Sequence, residues 1–233
     1  MSSPGGRARA AIPLVLGVLA AVTYSDYLVD LVLQPEGVDQ LAIISHLEAP
    51  GAPYAEVLRA FDVAAGVLAI ALAPFFLRAL PRGWGRWVPV GLLVVFGLSG
   101  ALTGLIPDPC PDPASGCGGA PGATQRSVHI LLSGVTDISL LLCPLAVTLV
   151  TWRRGPRWVP VASGLAFGLI VAASVLYRWH STLDPSWPTG LSQRLVVSSS
   201  SVWLLLVGVI GARPTTDADP PPRAPRPRRA GPG

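Results

Sequence analysis

Six apolar stretches of roughly 20 residues, separated by short segments rich in Pro, Gly and Arg, leave this chain one kind of surroundings. A helix needs about 20 apolar residues to cross the hydrocarbon of a bilayer, and it satisfies its own backbone hydrogen bonds there. Only 13% of the 233 residues are charged, against about 25% in soluble domains. The expected fold is therefore all-α, a six-transmembrane-helix bundle over residues 10–211 with spans near 10–33, 58–80, 88–106, 126–150, 159–177 and 191–211. Residues 1–9 read as a polar leader, and residues 212–233 as a disordered Pro/Arg-rich cytoplasmic tail. The first span lacks a convincing small-residue cleavage site, which favours an uncleaved anchor over a signal peptide.

Arginine sets the orientation. All 17 basic residues are Arg, and thirteen fall on one side of this layout: Arg7, Arg9, Arg78, Arg82, Arg86, Arg153, Arg154, Arg157 and five from Arg213 onward. The positive-inside rule then makes both termini cytoplasmic; the expected location is a plasma membrane. Two turns at 81–87 and 152–158 combine Arg with Trp, as an inner interface favours. No basic face is interleaved with aromatics, so nucleic-acid binding is not expected; the tail arginines suit anionic lipid headgroups.

With that topology, Asp26, Asp30, Arg59, Asp62, Arg126, His129, Arg178, His180 and Arg194 lie near the outer ends of their spans. Ionisable groups inside lipid are expensive and mark function by default. The fourth span carries His129, Ser133 and Asp137 at four-residue steps, along one helical stripe. Asp137 falls about 15 Å deep at 1.5 Å per residue, so it is expected inside the bundle against Arg194 or Arg59, or protonated. His129, Asp137 and Asp62 are the candidate catalytic groups, with Arg59, Arg194 and His180 as candidate substrate-binding groups. Headgroups sit at this depth and Arg recognises phosphate, which points to membrane lipids and a lipid-type ligand at the outer leaflet.

Competing readings are open. Three histidines, His46, His129 and His180, with a carboxylate make the ligand set of a catalytic zinc site, but no local HxxxH or HExxH pair supports it, and no metal or other cofactor is expected. A serine triad needs His between nucleophile and carboxylate, whereas Ser133 lies between His129 and Asp137. Ser198 and Ser201 share a face with Arg194, where serines usually bond neighbouring helices. Cys110 and Cys117, in an acidic Pro/Gly-rich outer loop, are expected to form a disulfide; Cys143 reads as a buried apolar residue. A small proton-coupled transporter titrating Asp137 and a non-catalytic assembly subunit are the alternatives to a lipid site.

Several motifs are also familiar. His46-Leu47-Glu48-Ala49-Pro50-Gly51-Ala52-Pro53-Tyr54, with Arg59-Ala60-Phe61-Asp62 and Gly66, resembles the outer loop and second helix of DUF998, an uncharacterised family of bacterial multi-pass membrane proteins. Ile106-Pro107-Asp108 with His129 resembles its Pro-Asp loop and downstream His; Gly190-Leu191-Ser192-Gln193-Arg194 with Trp203 resembles its last helix. The family usually has Ser-Asp or Ser-Glu where this chain has Ser45-His46. The resemblance implies a six-helix membrane domain of unknown activity in a bacterial plasma membrane. It points at Asp62, Asp108, His129 and Arg194, and adds Asp108 to the candidate binding groups.

Overall fold

The computed structural model describes residues 4–28, 32, 43–109, 120–183 and 189–213. All regular structure among them is helical: α1 (Pro4–Tyr24), α2 (Ile44–Leu47), α3 (Ala55–Ala79), a 3-10 turn (Trp84–Arg86), α4 (Trp87–Leu105), α5 (Ala120–Thr151), α6 (Trp158–Thr182) and α7 (Thr189–Gly211). Five helices are long and apolar enough to cross a membrane, from α3 to α7, and α1 adds a shorter apolar stretch, Ala10–Tyr24. Cys110, Cys117, Asp30, Asp184 and the tail beyond 213 lie outside the described residues, and with them the expected disulfide.

The boundaries depart from expectation at three places. Helix α1 begins at Pro4, inside the stretch read as a leader; proline is preorganised for a first helical turn. It stops at Tyr24 rather than running on to Leu33, because the Asp26 carboxylate accepts the Tyr27 backbone N–H at 2.8 Å and so competes with the helical ladder. Helical backbone resumes at Tyr27 and Leu28. Helix α5 starts at Ala120, well before the expected 126, and α6 continues to Thr182, past the expected 177.

The six long helices form a ring. In order, α1, α3, α4, α5, α6 and α7 are neighbours, α7 closes back on α1, and α3 also touches α7 across the middle. The centre is apolar: Phe76, Phe96, Leu93, Leu140, Ile170 and Trp203 are fully buried, with Phe76 and Trp203 edge-to-face at 6.5 Å. Lipid offers no hydrophobic drive between helices, so close packing has to hold them. Glycines permit it along α3 and α4, where Gly66 and Gly97 meet backbone to backbone. A Cβ on Gly104 would lie 2.7 Å from the Arg59 carbonyl and 3.0 Å from the Asp62 Cβ. Gly100 instead faces Thr136 of α5, where a Cβ would make ordinary contact at 3.8 Å.

Candidate functional site

Three carboxylates from three separate segments meet at one end of the ring. Asp26 follows α1, Glu48 follows α2, and Asp62 lies in the second turn of α3; an oxygen from each falls within 4.8 Å of the others. Asp26 and Glu48 are buried and Asp62 half-buried. Glu48 hydrogen-bonds both Asp26 and Asp62. Burial pushes the Glu48 carboxyl well above the ordinary glutamate range, the charges of Asp62 and Asp26 push it the same way, the bond to Asp26 adds to this, and Arg59 opposes it. Three carboxylates this close cannot all be ionised. A proton shared within the cluster relieves that repulsion. Oxygen donors of this kind also suit a hard divalent cation, which would displace the proton.

The cluster is set in place from all sides. Two turns into α3, Asp62 is brought against α4 by the glycine seam. The α2 segment is tied to α7 by the Ile44 backbone N–H, which donates to Gln193 Oε1 at 2.8 Å. Tyr24, edge-to-face on Phe96 at 5.3 Å, lies within electrostatic reach of all three carboxylates. Arg59 bonds the exposed Glu56 as well as acting on Glu48.

Beside the cluster, α1 and α7 are joined by hydroxyls. Ser25 donates to Ser201 at 2.8 Å, and Tyr27 shares a short hydrogen bond with Ser198. The buried Arg194 guanidinium lies over the Tyr27 ring, 5.9 Å from its centroid. Ser198 and Ser201 also donate to carbonyls one turn back, at 2.7 and 3.0 Å, so these serines act as interhelical links. Outward of them a groove of about 620 Å³ runs between α1 and α7, lined by Ala21, Val22, Leu28, Val202 and Leu205 and polar at the end where Ser25, Tyr27, Ser198 and Ser201 meet.

The residues singled out from sequence divide into three groups. Asp62, Arg59 and Arg194 belong to this region. His129 and Asp108 form a different construction at the junction of α4 and α5: the His129 Nδ1–H donates to the Ile106 carbonyl at 2.8 Å, Arg126 faces Asp108 at 3.9 Å, and Gln125 donates to the Pro107 carbonyl at 2.9 Å. These contacts clamp the end of α4 to the start of α5. His180 is buried near the end of α6. Asp137 keeps solvent-accessible area, yet lies within electrostatic reach of Arg178 on α6 and of Tyr24 on α1. Steps of four residues advance about 400°, so the stripe of His129, Ser133 and Asp137 drifts by roughly 40° each time. By Asp137 it has moved to the flank of α5 that meets Tyr177 and Arg178 of α6. The buried face instead follows His129, Thr136 and Cys143, a seven-residue repeat. The three histidines do not gather with a carboxylate into a metal-ligand set among the described residues.

Asp26 and Glu48 are the members that sequence reading leaves out of the site. Asp26 is visible as a carboxylate near the end of an apolar span. Glu48 is harder to find, because it sits in a polar segment that reads as solvated; its signals are the apolar company of Leu47 and Ala49 and its place in the His46–Tyr54 motif.

No curated relative and no solved structure matches the chain. A family model does, over residues 15–210, which reaches every helix of the ring and includes all three carboxylates. A membrane protein of this build, matched over that length, belongs to the DUF998 family of proteins of unknown function.

Proposed function

We propose that this chain is a six-span protein of the plasma membrane that binds a lipid-type ligand at the outer leaflet, with one acyl chain in the groove between α1 and α7. The observation that carries the reading is the groove itself: about 620 Å³, apolar along its length and ending at Ser25, Tyr27, Ser198 and Ser201. That volume is in the range of roughly 300–1,000 Å³ typical of small-molecule sites. In a bilayer, neighbouring lipid tails are as apolar as the lining, so the apolar contacts give little selectivity. Discrimination falls to the polar end. There the hydroxyls bond the ligand's polar group, and Arg194 acts behind Tyr27 to favour negative charge.

The test uses the purified full chain, stripped of lipid and offered diacyl phospholipids, with retention read by native mass spectrometry. Val202→Trp fills the groove from an exposed position and is expected to reduce retention about tenfold, while Val161→Trp, on the exposed face of α6, leaves it unchanged. Equal retention by the two variants would sink the reading.

A second reading has its own support. The Asp26–Glu48–Asp62 cluster shares protons, and α1 is interrupted at the cluster, as helices at transporter ion sites are. This favours a proton-coupled carrier built on Glu48 and Asp62 rather than on Asp137. Proton flux in proteoliposomes that survives both Glu48→Gln and Asp62→Asn would eliminate it.

A further inference from the structure

The two Arg/Trp turns are far apart in sequence and adjacent in space. The 3-10 turn Trp84–Arg86, which opens α4, packs against the last turn of α5, and between this turn and the segment following α5 lies a pocket of about 410 Å³. Arg82, Arg86, Arg153 and Arg154 line it, together with Trp84 and Trp152, and no lining residue is acidic. Gly83 makes the bend possible: its φ of +142° is one that residues with a side chain rarely adopt, and a Cβ there would point toward Arg154 Nη1 at 3.9 Å. Trp84 is 91% exposed and Trp152 68%, at the helix ends where indoles anchor in headgroups.

Four guanidiniums around one concavity repel one another unless an anion sits among them. Arg86 keeps an unused donor there. Its guanidinium lies over the Trp87 ring at 5.7 Å, yet its Nε is buried without a hydrogen-bond partner among the described residues. Planar guanidiniums match phosphate oxygens in pairs, and a pocket this size exceeds what a water or a chloride needs.

We infer that the pocket between the two Arg/Trp turns is a binding site for a phosphate-bearing anion, held by Arg82, Arg86, Arg153 and Arg154 and flanked by Trp84 and Trp152. The phosphate belongs either to a lipid headgroup of the adjoining leaflet or to a soluble phosphate. The site is at the opposite end of the ring from the carboxylate cluster and stands independently of what that cluster does.

The experiment compares two double variants of the full chain that remove the same charge at the same end of the bundle. Arg86→Gln/Arg154→Gln changes the pocket; Arg78→Gln/Arg157→Gln changes exposed arginines outside it. Each is placed in phosphatidylcholine nanodiscs with or without phosphatidylglycerol, and separately titrated with inorganic phosphate in detergent. Binding is read as the shift in melting temperature and as retained lipid. The pocket double variant is expected to bind about tenfold more weakly than the outer one, because it alone loses paired guanidinium contacts. If it does not fold, Arg82→Gln/Arg153→Gln, at exposed lining positions, takes its place. A response to phosphatidylglycerol alone assigns the anion to lipid, and a response to inorganic phosphate assigns it to the soluble pool; either supports the site. Equal weakening in the two double variants means general surface charge, and no anion dependence in the parent means no site; either overturns the inference.

Discussion

Glu48 shows most clearly how a residue's surroundings rewrite its chemistry. On the sequence it is one of several acids in a polar connection; in the fold it is buried between two further carboxylates. Its folded value is raised above the ordinary glutamate value of about 4.3, so the stabilisation it gives is fully present below that pH and is lost as pH rises through the raised value. Asp26, Asp62 and Arg59 are the charged groups that face it. The prediction is a melting temperature that falls from mildly acidic to alkaline pH in the parent and changes much less in Glu48→Gln. The loss amounts to about 1.4 kcal/mol for each unit by which the folded value exceeds the unfolded one. A pH-independent parent would contradict the shared proton. Asp62 was legible as a candidate because a carboxylate stands out within an apolar helix. Glu48 was not, because its burial depends on α2 folding back over the ring, a tertiary event with no periodic trace.

At the scale of elements, helix existence was legible and helix rotation was not. Apolar length alone located the five longest helices to within a few residues at most of their ends. The stripe of His129, Ser133 and Asp137 illustrates the limit: four-residue spacing looks like one face, but over two steps its drift separates a buried histidine from an exposed carboxylate. The α3–α4 seam supplies a test. Gly104→Val forces a side chain against the Arg59 carbonyl and is expected to cost about 1–3 kcal/mol, lowering the melting temperature and loosening the carboxylate cluster together. Gly91→Val in the same helix meets nothing within 4 Å and serves as the neutral control. Matching melting temperatures for the two variants would mean that the seam does not hold the helices.

For the whole molecule, orientation follows from arginine and can be tested without knowing any ligand. Reporters fused after Thr151 and at the carboxyl end are expected to report the same cytoplasmic compartment, and one inserted in residues 107–119 the opposite one. An external report from the 152–158 turn would invert the proposed leaflet of both sites. The closed order of helices has a consequence for how the protein is made. Helix α1 leaves the ribosome first, yet its partners across the Ser25–Ser201 and Tyr27–Ser198 links belong to α7, the last helix to arrive. Until then the Ser25 and Tyr27 hydroxyls lack their α7 counterparts, so the ring gains its final neighbour only when translation is nearly over, and a chain cut short before α7 is left as an open arc.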